Sequence, residues 1–214
     1  MSPARASLVP VEDAITIVTA ALDALVRRRA SIDAPVDYVR RVAHPWTDDL
    51  AFELALQIDA AQTGGELQPM QEVSTAFRRV ARDAPEMKVR LVQGLPHTIR
   101  WRIYAPDDSA LLEQPVAIQS QWRGAWPHLS RACDDLAQTR TGLRVLATQA
   151  DPDRDVDGLT LATACAYRIS AFAPPRKPVL LAFYAPEGGW RSQAGFSLYS
   201  YQTGERTLTP LASG

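Results

Sequence analysis

Lysine is nearly absent from this chain. Lys88 and Lys177 are the only two in 214 residues, and arginine supplies the rest of the positive charge. That bias is what a GC-rich coding sequence produces, so arginine abundance by itself carries no functional signal. Cysteine is equally scarce. Cys133 and Cys165 show neither a disulfide framework nor the paired spacing of a zinc site, and they suit a reduced cytoplasmic compartment. Net charge is −1, so no strong overall field draws the chain to nucleic acid or to an anionic membrane. Long apolar runs are missing too. The stretch from Ala14 to Val26 is interrupted by Asp23 and preceded by Glu12 and Asp13, which fits neither a signal peptide nor a membrane span. His44, His97 and His128 are scattered, with no i, i+4 partner for zinc. No Gly-x-Ser-x-Gly elbow, phosphate-binding glycine loop or dinucleotide fingerprint is present, which leaves serine-hydrolase, NTPase and Rossmann readings without support.

What is there is a globular composition, 46% apolar and 22% charged. Ile15, Val18, Ala21, Leu22 and Leu25 recur at helical spacing from Val11 to about Arg29. Arg27, Arg28 and Arg29 then fall where cations complement the last carbonyls. A short helix is expected over Val36–Val42, and a loop at His44-Pro45-Trp46. Thr47 is expected to cap a further helix that runs to Gln62. Met70, Val73, Phe77 and Val80 predict a fourth helix from Pro69 to about Asp83.

The period then changes from helical to alternating. Met87–Val92 and Thr98–Tyr104 alternate around Gly94-Leu95-Pro96 and read as a β-hairpin. Its apolar face carries Val89, Leu91, Ile99, Trp101 and Ile103. Its other face carries Lys88, Arg90, Arg100 and Arg102, a basic surface able to track phosphates or, alternatively, a solvated face paired with acids. Pro106-Asp107-Asp108-Ser109 is a turn, Val116–Trp122 a strand, Trp126–Thr139 a helix and Leu143–Ala147 a buried strand. A helix over Leu159–Phe172 and strands at Val179–Ala185 and Phe196–Tyr201 complete the chain. Strand, helix, strand order implies parallel pairs joined by right-handed crossovers. The expected organisation is a helical N-terminal segment (1–84) packed on a mixed α/β core (85–214), together forming one compact domain. Asp153-Arg154-Asp155-Val156-Asp157-Gly158 begins like a calcium loop, but Ala164 stands where the bidentate glutamate belongs.

The helix-strand-strand-strand-helix-strand order over residues 69–149, the Pro106-Asp107 pair and the Gln119-Ser120-Gln121 triplet together resemble the PD-(D/E)xK nuclease-like superfamily, the restriction-endonuclease-like fold. That resemblance implies a mixed sheet flanked by helices, Mg²⁺ dependence and a nucleic-acid substrate. It makes Asp107 the metal-binding acid and puts Gln119 where the family has an acid. It puts Gln121 where the family has lysine and makes Glu72 (or, less directly, Glu53) an assisting carboxylate, with Asp108 and Glu113 as possible substitutes. Apart from that resemblance, Arg123 and Trp126 lie just beyond the Val116–Trp122 strand, where they extend a nucleic-acid surface from the basic hairpin face or, alternatively, a solvated one. The two glutamines depart from the family pattern, because Mg²⁺ prefers carboxylates and an amide carries no charge. The expectation is therefore a nucleic-acid-associated subunit, non-catalytic or weakly active, bound to DNA more than to RNA or to a partner protein, with a homodimer possible and no membrane role. An active Mg²⁺ endonuclease remains an alternative, as does a protein-binding or small-ligand module with no nucleic-acid role.

Overall fold

The computed structural model describes residues 7–30, 43–62, 69–75, 87–122, 126–149, 158–172, 178–185, 195–203 and 205–211. Two helices come first, α1 (Val11–Ala30) and α2 (Ala43–Ala61). Four strands follow, β1 (Met70–Thr75), β2 (Arg90–Gln93), β3 (Thr98–Tyr104) and β4 (Leu111–Gln121). Then come α3 (Trp126–Gln138), β5 (Leu143–Gln149), α4 (Gly158–Phe172), β6 (Pro178–Ala185), β7 (Gly195–Gln202) and β8 (Thr207–Leu211). The strands form one eight-stranded mixed sheet in the order β2-β1-β3-β4-β5-β6-β7-β8. The expected class, a mixed sheet flanked by helices with a helical N-terminal segment, is the observed one.

The two crossovers read from the sequence are present. β4 pairs parallel with β5 through α3, and β5 pairs parallel with β6 through α4. All of β5 is buried, as its apolar run requires of a strand covered on both faces. One face of the sheet packs α1 and α2 against Val73, Ile99, Trp101, Ile103, Val116, Ile118 and Trp122. The other packs α3 and α4 against Leu146, Val179, Leu181 and Phe183. Val18, Ala21, Leu22 and Leu25 are the buried stripe of α1, and Leu129, Cys133 and Leu136 that of α3. Each fully buried Leu or Val contributes about 1.5–3 kcal/mol.

Three local expectations are corrected. Met70–Thr75 is a strand, not the start of a helix, and it lies between β2 and β3. Residues 76–83, the rest of the expected helix, lie outside the described residues. β2 and β3 therefore do not form a hairpin; β2 runs parallel to β1, and β1 antiparallel to β3. Third, α2 begins at Ala43, so His44-Pro45-Trp46 is helical and Thr47 is no cap. The Thr47 hydroxyl instead meets Ser120 Oγ at 2.7 Å and accepts from Trp122 Nε1 at 3.2 Å, a buried polar link between α2 and β4. Val36–Val42, Arg123 and the acidic loop 153–157 also lie outside the described residues.

α3 and α4 cover β4 to β7, and among the described residues no helix packs on the same face of β2, β1 and β3. The site lies at that boundary.

Candidate functional site

Glu72, Ser74, Arg90, Arg100 and Arg102 alternate onto this face, as the period-two pattern requires. Glu72 is the hub. Register sets Arg90 beside it on β2 and Arg102 beside it on β3. Glu72 is 4% exposed, and its carboxylate accepts from Arg90 Nη2 at 2.6 Å and Nε at 3.2 Å, and from Arg102 Nη1 at 3.1 Å. Arg90 also donates to Asp108 at 3.0 Å. Hydrogen bonds donated to Glu72 and Asp108 hold the Arg90 guanidinium above its usual pKa. These charges are matched within the fold, which is the role of a solvated face paired with acids. Lys88 is exposed beyond them, its backbone N–H donating to Asp59.

Arg100 is different. It stands two residues from Arg102 on the same strand and face, opposite Ser74 and Ala117. Ser74 Oγ accepts the backbone N–H of Arg100 at 3.1 Å, and no acid reaches its guanidinium among the described residues. Its Nε is shut away from water without an acceptor. The side chain lines a cleft of about 720 Å³ that opens where α3 begins to cover the sheet.

The cleft has a floor, a rim and a wall. Thr98 and Arg100 of β3 and Gln119 and Gln121 of β4 form the floor. The turn Leu95-Pro96-His97 forms a rim, with Thr98 N–H donating to Leu95 O at 3.2 Å. His97 sits at φ 59°, a conformation histidine tolerates better than most side chains. Its carbonyl accepts from Ser120 N–H at 2.8 Å, which pins the rim to β4. The wall is α3, whose His128, Arg131, Asp135 and Gln138 follow one another by three, four and three residues and so share one face. Pro127 occupies the first turn, where its missing N–H costs nothing.

The wall is anchored from below. Arg144 of β5 is buried, and its guanidinium donates to Leu136 O at 2.9 Å and Thr139 O at 2.6 Å. Both carbonyls lie at the end of α3, where a cation is favoured, and Leu136 O also accepts from Thr139 N–H at 3.0 Å. Burial holds the Arg144 pKa below its usual value. Behind α3, Cys133 and Cys165 are buried free thiols. A hydrogen bond to Cys165 and then burial raise the pKa of Cys133.

The residues assigned from the nuclease resemblance divide between two ends of one hairpin. Gln119 and Gln121 are in the cleft. Asp107 is in the turn at the far end, where Tyr104 pairs with Leu111 while Thr98 pairs with Gln119. From Leu111 to Gln119 is about 26 Å of strand at 3.3 Å per residue. Asp107 is exposed and accepts from Ser109 Oγ at 2.6 Å and Ser109 N–H at 3.2 Å, contacts that hold its carboxyl below the usual range and shape the turn. Glu72 is committed to Arg90 and Arg102, Glu53 to Arg28 at 3.0 Å, and Glu113 to Leu8 N–H at 2.6 Å. Among the described residues no group of three or more His, Cys, Asp or Glu side chains is placed to hold a metal ion. No helix among them is long and apolar enough to cross a membrane.

Arg100, Gln119 and Gln121 were legible in the sequence as candidates. His97, His128, Arg131, Asp135 and Gln138 were not; the polar face of α3 at helical spacing could have found the last four, and nothing comparable marks His97.

No family model matches the chain, and no curated protein does. Among the solved structures that resemble it weakly are the following two. A carbon-nitrogen hydrolase from Helicobacter pylori has 7% identity and a TM-score of 0.35, over 97% of this chain and 83% of its own. A Nesterenkonia amidase of the nitrilase superfamily has 12% identity and a TM-score of 0.34, over 96% of this chain and 82% of its own. Likenesses this weak assign neither fold family nor activity. The element order that suggested the PD-(D/E)xK family fails at its first element, since Met70–Thr75 is a strand. The nuclease-like, DNA-associated reading is corrected accordingly.

Proposed function

We propose that this chain is a small-ligand-binding protein whose β3–β4–α3 cleft takes an anionic, polar molecule at Arg100. The orphaned donor of Arg100 carries the reading. A buried N–H of a charged group without an acceptor is costly, and a ligand carboxylate or phosphate would relieve that cost. Arg131 on the wall adds a second cation, and Gln119 and Gln138 add neutral donors and acceptors. A polar, partly enclosed cleft with a few convergent groups is the usual form of a small-molecule site.

Binding is favoured over covalent catalysis by the lining itself. The described lining holds no Ser, Cys or Lys, and its two threonine hydroxyls donate to Pro96 O at 3.4 Å and Asp135 O at 2.8 Å. The unlinked pair Cys133 and Cys165 supports a reducing, cytoplasmic setting for this role.

The test is an amide-resolved NMR titration of the whole chain with acetate, glutarate and inorganic phosphate. The reading expects shifts concentrated at residues 95–100, 119–121 and 128–139, lost in Arg100→Gln and kept in Arg102→Gln. Shifts centred on Glu72 and Arg90, or none at millimolar ligand, would refute it.

A further inference from the structure

The geometry points to a small zwitterion as the ligand, an ammonium carboxylate with its carboxylate on Arg100 and Arg131 and its ammonium on Asp135. This inference rests on the anion-binding reading and names its ligand class.

Arg131 and Asp135 line the same cleft four residues apart on α3. Opposite charges at that spacing usually pair, more weakly when the cation comes first, as here. Among the described residues neither makes an ion pair. Three nearby acids are spoken for. Glu72 lies between two arginines, Asp108 meets Arg90, and Asp134, one residue before Asp135, takes Arg168 of α4 at 2.6 and 2.8 Å. Asp135 is the acid that faces the cleft with its charge unmatched.

A purely anionic ligand would find Arg100 and Arg131 but would also place its charge near Asp135. Phosphate, with close to two negative charges, would be opposed most. A zwitterion meets each charge with its opposite and gives the cleft selectivity through one repulsive group as well as two attractive ones. Gln119 and Gln138 can hydrogen-bond the neutral middle of such a molecule without selecting for charge. The volume, about 720 Å³, admits ligands longer than a single small amino acid, so chain length is a variable of the test.

The experiment is calorimetric or NMR titration of the full chain with ω-amino acids from glycine to 6-aminohexanoate. Alkanoates and dicarboxylates of matching length and inorganic phosphate are run beside them on the wild type, Asp135→Asn and Arg100→Gln. The best ω-amino acid is expected to bind about tenfold tighter than its alkanoate, the effect of one charge-assisted contact. Asp135→Asn should bring that ratio to about one while leaving the alkanoate as tight or tighter, and Arg100→Gln should weaken both. Equal binding of amino acid and alkanoate, a ratio unmoved by Asp135→Asn, or phosphate as the tightest ligand would overturn the zwitterion and leave the anion site standing. Failure of every carboxylate and of phosphate to bind would overturn both.

Discussion

Arg100 and Arg102 share a strand, a sheet face and a residue type, yet they sit in opposite electrostatic situations. Arg102 shares the buried Glu72 carboxylate with Arg90. Arg100, one pleat away, meets serine and alanine across the strands and opens into the cleft. What separates them is what stands beside each on the neighbouring strands. A basic strand face therefore does not mark a binding surface until its acids are located, because one buried glutamate can commit two arginines to the fold.

The strongest challenge to this contrast is Glu72→Ala. It leaves two guanidinium groups without their buried partner. A fully buried pair would lose about 3–5 kcal/mol, and partial exposure of Arg90 and Arg102 reduces this to about 2–3 kcal/mol. Urea denaturation should show that loss with ligand affinity nearly unchanged; an affinity loss at constant stability would make Glu72 part of the site. Arg144→Met comes next. It strips two donors from the end of α3 and should cost about 1–2 kcal/mol while weakening ligand several-fold, since the wall loses its anchor. Full affinity in that variant would mean that α3 needs no anchor.

Arg100→Gln should do the reverse of Glu72→Ala, with affinity down about tenfold and stability changed by less than about 1 kcal/mol, because no partner is stranded. A large stability loss would place Arg100 with Arg102. Asp108→Asn is the mildest. It removes an exposed partner of Arg90 while keeping a residue that tolerates φ 59°, and should cost a few tenths of a kcal/mol in thermal unfolding.

Much of this fold was readable from periodicity. The stripes of α1 and α3, the apolar run of β5, the β3–β4 turn and the two sides of β3 all follow from spacing. β1 was not readable. Met70 and Val73 continue with Phe77 and Val80 at helical spacing, and Gln71, Glu72 and Ser74 are not strand-forming residues. Partners from elsewhere in the chain settle the matter. Arg90 and Arg102 meet Glu72, the Arg100 amide meets Ser74, and Trp101 Nε1 donates to Gln71 Oε1 at 2.7 Å. The site was half readable for the same reason. Its floor lies on a strand whose alternation shows in the sequence. Its wall is a helix whose polar face looks like any solvated surface until β3 and β4 are known to run beside it. Asp107 misled because a Pro-Asp turn has the same spelling whether its carboxylate binds a metal or caps its own backbone.

The position of β2 has a consequence for how this sheet comes apart. It is a four-residue edge strand paired with one neighbour, so its amides should exchange with solvent well before those of β3 or β4. When it frays it takes Arg90 with it, but Arg102 still meets Glu72 from the inner side. The carboxylate has a partner on each flank, so the edge can open and close without leaving a bare charge in the interior. Native-state hydrogen exchange should therefore show β2 opening as a small local event, uncoupled from the strands that carry the cleft.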